Sequence, residues 1–134
     1  MKYLLDTNIC IYLIRNKSSA VLARLKRHAI TDVAIAAVTA AELQYGVHKS
    51  ARPQQNQQAL DQFLVPLTIL PFDESATAAY GRLRAYLEKQ GTPIGALDTL
   101  IAAQAVSQNL NMVTNNVREF VRVPDLIVED WTQP

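Results

Sequence analysis

Five side chains in this 134-residue chain stand where chemistry is usually done: Asp6 in "KYLLDTN", Glu42 in "TAAEL", Asp98 in "ALDTLIAAQA", and Asn116 with Glu119 in "MVTNNVREF". Asp6 closes the apolar run Tyr3-Leu4-Leu5. An acid at the carboxyl end of a buried strand lies where open α/β sheets bind their ligands. Each position also has a purely structural reading. Asp6 and Asn116 are good helix N-caps. Thr39-Ala40-Ala41-Glu42 fits a capping box, and Asp98 near a helix start suits the helix dipole. Asp98 is the hardest to explain this way. It shares a helical stripe with Ile101, Ala102 and Ala105, so it faces the protein, where a carboxylate needs a partner. No histidine or lysine is near it in sequence.

Parallel strands bring their carboxyl ends to one edge, which would gather Asp6, Glu42 and residues 114–119. Carboxylates facing one another repel and are driven towards protonation unless a cation intervenes. Oxygen ligands without histidine or cysteine suit Mg²⁺ or Mn²⁺ rather than Zn²⁺. His28 and His48 fall in predicted helices, far from the acids in sequence, and read as surface residues rather than ligands. Cys10, the single cysteine, lies in the apolar stretch "ICIYLI" and reads as a small core residue. There is no P-loop, no G-x-G-x-x-G and no G-x-S-x-G elbow. "LLDTN" lacks the second aspartate of an aspartate-nucleophile phosphatase. What remains is a carboxylate cluster that holds a divalent ion and acts on phosphate esters, the ion neutralising phosphate charge and lowering the pKa of an attacking water.

The elements that must position these groups alternate along the chain. A strand at residues 2–5 is followed by helical sequence over about 8–28. A strand around Val33–Ala36 precedes helices at about 39–49 and 54–64. "LTIL" gives a strand, 73–90 a long helix, "GTPIG" a loop, "ALDTLIAAQAVSQN" a helix, and "LNMVT" and "LIVED" the last strands. Strand–helix alternation with short apolar strands predicts an α/β sandwich whose mainly parallel sheet is covered on both faces.

Composition bounds the rest. With 49% apolar and 19% charged residues the chain reads as one globular domain, residues 1–134, able to bury a core unaided. A net charge of +1 excludes a grossly basic nucleic-acid glue but leaves room for a local basic face. Aromatics are 7%, too few for base stacking to dominate recognition. Asp6 and Asn8 interrupt the N-terminal apolar run, so a signal peptide is not expected, and no stretch has the length of a membrane span. With one cysteine, these features point to a reducing cytosol.

Taken in order, "YLLDTN", "TAAEL", "GALDTLIAAQA" and "MVTNNVREF" resemble the four motifs of PIN-domain ribonucleases. The chain length and the ending "RVPDLIVEDW" resemble the VapC toxins of type II toxin–antitoxin pairs. The likeness spans essentially the whole chain. It implies a PIN-like three-layer α/β/α sandwich and a cytoplasmic endoribonuclease dependent on Mg²⁺, with Mn²⁺ as a substitute. It implies a structured RNA substrate such as a tRNA, with the anticodon loop of initiator tRNA the leading candidate. It also implies a homodimer silenced by a VapB-like antitoxin whose C-terminal segment fills the groove. Asp6, Glu42 and Asp98 match the family's acids. Asp6 and Asp98 would hold the metal, and Glu42 would hold it through water or orient the nucleophile. Thr7, Asn8 and Thr114 match the surrounding polar shell. Asn116 stands where many relatives have aspartate, and Glu119 is near enough to replace that charge; which of the two completes the site is open. Lys17, Arg24, Lys26, Arg27, Arg118 and Arg122 are candidate contacts to RNA phosphates or to the antitoxin. The competing expectation is a catalytically silent PIN-like module that binds RNA or a partner.

Overall fold

The structure, a computed structural model, describes residues 1–133. Its element order is β1 (Tyr3–Leu5), α1 (Thr7–Ile14), α2 (Ser19–Lys26), a 3₁₀ turn (Ile30–Asp32), β2 (Val33–Ala36), α3 (Ala37–His48), α4 (Pro53–Leu64), β3 (Thr68–Leu70), α5 (Glu74–Lys89), α6 (Ala96–Gln108), β4 (Asn111–Val113), α7 (Val117–Phe120) and β5 (Val128–Glu129). The five strands form one sheet in the order β3-β2-β1-β4-β5, and every pairing is parallel. This is the three-layer arrangement expected from the alternating pattern.

Alternate strand residues feed two cores. Tyr3, Leu5, Val33, Ile35 and Val113 face one side, with Ile9, Cys10, Leu43, Val47 and Leu60 from the helices above them. Leu4, Ala34, Ala36 and Met112 face the other, against Leu83, Leu87, Ile101, Ala102 and Phe120. Each fully buried Leu or Ile contributes roughly 1.5–3 kcal/mol. The face of α6 that carries Asp98 is therefore pinned to the sheet by Ile101, Ala102 and Ala105.

Strand order reverses at β1, which has β2 on one side and β4 on the other. A crevice opens at such a switch point beyond the carboxyl ends of the two strands. Asp6 follows β1 and Thr114 follows β4 at this point, tied together by the Asp6 amide donating to the Val113 carbonyl at 2.8 Å.

Several boundaries differ from expectation. The helical stretch 8–28 is divided into two helices: Asn16 adopts φ 54°, and Ser18 starts α2 by accepting from the Val21 amide at 3.2 Å. The α3 helix begins at Ala37, ahead of Thr39, so the Thr39–Glu42 spacing is not a capping box. Edge strand β3 is largely exposed, whereas the strands were expected to be buried throughout. His28 lies past the end of α2, half-buried, with its ring 4.5 Å from Tyr3 and stacked 5.3 Å from Trp131. His48 is exposed at the end of α3, as expected of a surface residue.

Arg24 requires a larger correction. Its guanidinium is half-buried, paired with Glu129 at 3.3 Å and set 5.7 Å from the Trp131 ring centre. Glu129 also accepts from Asn111 Nδ2 at 2.9 Å and from Trp131 Nε1 at 3.1 Å. Arg24 thus fastens the C-terminal segment to the sheet and is not a free cation for RNA. Trp131 is fully buried in this cluster. Trp131→Ala is expected to cost about 3–5 kcal/mol in urea unfolding; an unchanged unfolding midpoint would show that this closure does not bear on stability.

Candidate active site

Asp6 is 4% exposed and does two jobs at once. As N-cap of α1 its Oδ1 accepts from the Thr7 amide at 2.8 Å, and its Oδ2 accepts from the Thr114 hydroxyl at 2.7 Å. Burial raises its pKa, opposed by the bonds from Thr114 and Thr7 and reinforced by the charge of Glu42. Asp6 therefore caps α1 with one carboxylate oxygen while the other is held by Thr114 across the sheet edge.

Thr7, the first residue of α1, donates its hydroxyl to Glu42 Oε1 at 2.7 Å, and the Thr39 hydroxyl lies 3.5 Å from it. Glu42 is thus turned towards α1, with its carboxylate free of the start of its own helix. Asn116 does not cap α7 either. Its amide N–H donates to the Thr114 hydroxyl at 2.9 Å, and its Nδ2 faces Glu119 Oε2 at 3.1 Å and Asp98 Oδ2 at 3.5 Å.

Asp98 is half-buried at the start of α6. Burial, a hydrogen bond shared with Glu119, and the negative charges of Asp6, Glu119 and Glu42 push its carboxyl up to about 7. Asp6, Glu42 and Glu119 thus stand near enough to Asp98 for their charges to act on it. None of them is in an ion pair among the described residues. The groups that quiet them are neutral hydroxyls and an amide. Burial also pushes the Cys10 thiol up, which leaves it an inert core residue.

The donor set is chemically that of a hard cation: carboxylate, amide and hydroxyl oxygens with excess negative charge. Among the described residues no three His, Cys, Asp or Glu side chains already close on one point. The fit therefore rests on donor chemistry and uncompensated charge.

From this edge a groove of about 910 Å³ runs between α1, α3, α4 and the start of α6. Thr7, Asn8 and Glu42 stand in its wall with Ile11, Leu43, Leu60, Leu97 and Leu100. Asn8 is exposed there and touches none of the acids through a hydrogen bond. Sequence reading missed Arg15, Tyr45 and Lys49, which also line the groove. Tyr45 and Lys49 follow Glu42 at helical spacing on one stripe, which could have revealed them, and the Lys49 ammonium lies 5.1 Å from the Tyr45 ring centre. Lys17, Lys26, Arg27, Arg118 and Arg122 are exposed. None of these five lines the groove, and Arg122 is partly occupied by a bond to the Pro93 carbonyl at 3.0 Å.

A parallel α/β/α sandwich with an acidic cluster at its switch point defines the class, and comparison agrees. The chain belongs to the PIN-domain family, whose sequence profile matches residues 3–126, and within it to the VapC group. It is 46% identical over 132 residues to ribonuclease VapC2 of Rickettsia felis, covering 98% of each chain. It is 40% identical over 131 residues to the tRNA(fMet)-specific endonuclease VapC of Salmonella typhimurium, again covering 98% of each. The crystal structure of DNA-bound VapBC from Salmonella typhimurium superposes with a TM-score of 0.93, covering 98% of both chains.

The raised Asp98 pKa makes metal-free stability depend on pH. Between about pH 4 and 7 the folded protein holds a proton that the unfolded chain has released, so stability falls as pH rises through that window and levels above it. Asp98→Asn lacks this loss. Melted in EDTA, the variant is expected to hold or exceed the parent's melting temperature at pH 8, with the difference shrinking by pH 5. A variant that melts well below the parent at pH 8 would contradict the repulsion argued here.

Proposed function

We propose that this chain is the toxin of a type II toxin–antitoxin pair, an endoribonuclease dependent on a divalent cation, with Mg²⁺ as the working ion and Mn²⁺ able to replace it. The observation that carries this reading is the cluster of Asp6, Glu42, Asp98 and Glu119, which no basic side chain among the described residues neutralises. A silent binding module would gain nothing from keeping such mutual repulsion.

Asp6 and Asp98 are assigned as the direct ligands, with Glu42 acting through water or orienting the nucleophile. A divalent ion, when bound, supplies charge neutralisation at the scissile phosphate and a lower pKa for the attacking water. The chain's own residues prepare for this. Thr114 and the Thr7 amide fix the two oxygens of Asp6, and the Thr7 hydroxyl aims Glu42. Asn116 spans Asp98 and Glu119, and we assign Asn116 and Glu119 to the polar shell. Asn8 is assigned to substrate contact at the mouth of the groove.

The substrate class is RNA, and a tRNA is the best-supported member, since two relatives bear the name tRNA(fMet)-specific endonuclease. The anticodon loop of initiator tRNA leads. Exposed Lys17, Arg27, Arg118 and Arg122 are assigned to phosphate or antitoxin contact. The apolar groove suits the amphipathic C-terminal tail of a VapB-like antitoxin, which would fold on binding. Its proposed state is a homodimer that forms a larger complex with the antitoxin, in the cytoplasm. Among the described residues no helix is long and apolar enough to cross a membrane.

Purified chain is expected to cut bulk tRNA in Mg²⁺ and not in EDTA. Asp6→Asn, Glu42→Gln and Asp98→Asn should each lower the rate by about a hundredfold or more, the scale on which even indirect metal partners matter, while remaining folded. Amide variants that cut at the parent rate would remove the metal-site assignment. In cells, expression should arrest growth, and co-expression of the neighbouring antitoxin frame should restore it. Normal growth with abundant folded chain would refute the toxin reading.

A further inference from the structure

Three consecutive residues after β4 are each held by a different part of the molecule. The Thr114 hydroxyl donates to Asp6 Oδ2 at 2.7 Å. The Asn116 side chain faces Glu119 and Asp98. Between them Asn115 reaches towards α1, where its Nδ2 donates to the Tyr12 hydroxyl at 3.0 Å. This is the one hydrogen bond of the Asn115 side chain among the described residues, because its Oδ1 is buried without a partner. No strand ladder holds this segment beyond Thr114, whose amide donates to the Glu129 carbonyl at 3.0 Å. The Asn116 amide bonds instead to the Thr114 hydroxyl at 2.9 Å. Beyond the Phe120 amide, which donates to the Asn116 carbonyl at 3.3 Å, side chains fix its path.

Tyr12 suits the role of anchor. Its ring packs against the core that contains Leu5, Ile9 and Val113, so its hydroxyl projects from a stiff support. A half-buried amide whose Oδ1 is already unpaired is sensitive to losing its single bond, since the whole group is then left without a partner. Any shift it makes is passed to Thr114 on one side and Asn116 on the other. Displacement of a reacting group by about 1 Å can cost on the order of a hundredfold in rate.

We propose that Tyr12 and Asn115 are a positioning pair, whose hydroxyl–amide bond sets Thr114 on Asp6 and Asn116 between Asp98 and Glu119. As a statement about catalysis it rests on the acidic cluster being the site of RNA hydrolysis. Neither residue touches an acid directly.

The test uses Tyr12→Phe, Asn115→Leu and the double variant, with two independent readouts. The first is amide hydrogen exchange in EDTA. Tyr12→Phe should speed exchange of the Asn116 amide by about an order of magnitude while α3 keeps its protection. The second is kinetic: kcat in Mg²⁺ should fall by about tenfold to a hundredfold with KM for RNA unchanged. The double variant removes both polar partners and should regain the parent's melting temperature without regaining kcat. Unchanged exchange at Asn116 would overturn the proposal. So would a double variant whose rate recovers along with its stability, since that reduces the pair to a structural contact. If the parent cuts no RNA in Mg²⁺, the functional reading of the site fails, and the exchange result still decides whether the pair positions the loop.

Discussion

Mutual repulsion among carboxylates gathered at one edge of a parallel sheet is the constraint to which the rest of this structure answers. The sheet delivers Asp6 and Thr114 to the same place because β1 and β4 are hydrogen-bonded neighbours with parallel direction. Helices α3 and α6 bring Glu42 and Asp98 to that place, the latter locked by Ile101 and Ala102 in the core below. Asp98 shows this repulsion in part: burial first, then its hydrogen bond with Glu119 and the charges of Asp6, Glu119 and Glu42, push its carboxyl up to about 7. The protein tolerates the arrangement through neutral donors, the hydroxyls of Thr7 and Thr114 and the side-chain amide of Asn116. Neutral groups quiet the charges without cancelling them, which leaves the site receptive to a cation.

Helix capping and site chemistry use the same atoms at Asp6. The geometry that lets its Oδ1 take the Thr7 amide also directs its Oδ2 towards Thr114. At Glu42 and Asn116 the outcome is different. Their spacing fits caps, but α3 begins ahead of Thr39 and Asn116 makes no capping bond. Both side chains are thereby released for contacts across the site. A local signature competes with a long-range one here, and the long-range partners, Thr7 for Glu42 and Glu119 for Asn116, win the side chains.

The charged surface divides in a similar way. Arg24 stands among basic neighbours in sequence, yet it is committed to Glu129 and Trp131 and closes the C-terminal segment over Tyr3 and His28. Lys49 and Arg15, which drew no attention as sequence, stand in the wall of the groove with Tyr45. Clustering along the chain therefore does not tell a cation committed to the fold from one that stands in the groove wall.

The sequence by itself determined the alternation of strands and helices, the two-faced apolar sheet, and the inward stripe of Asp98. These follow from periodicity and burial, which are local properties of a chain. It also carried the four ordered motifs on which the family resemblance rests. Tertiary structure alone decided which acids affect one another's charge, since Asp6 and Thr114 are far apart in the chain and meet only because strand order reverses at β1. It alone split residues 8–28 into two helices, tied Arg24 to Glu129, and set Asn115 on Tyr12. Each of these depends on a partner distant in sequence or on a single left-handed residue, Asn16. No local pattern encodes such pairings, because hydrogen-bond partners of buried polar groups are chosen by how the layers close on one another.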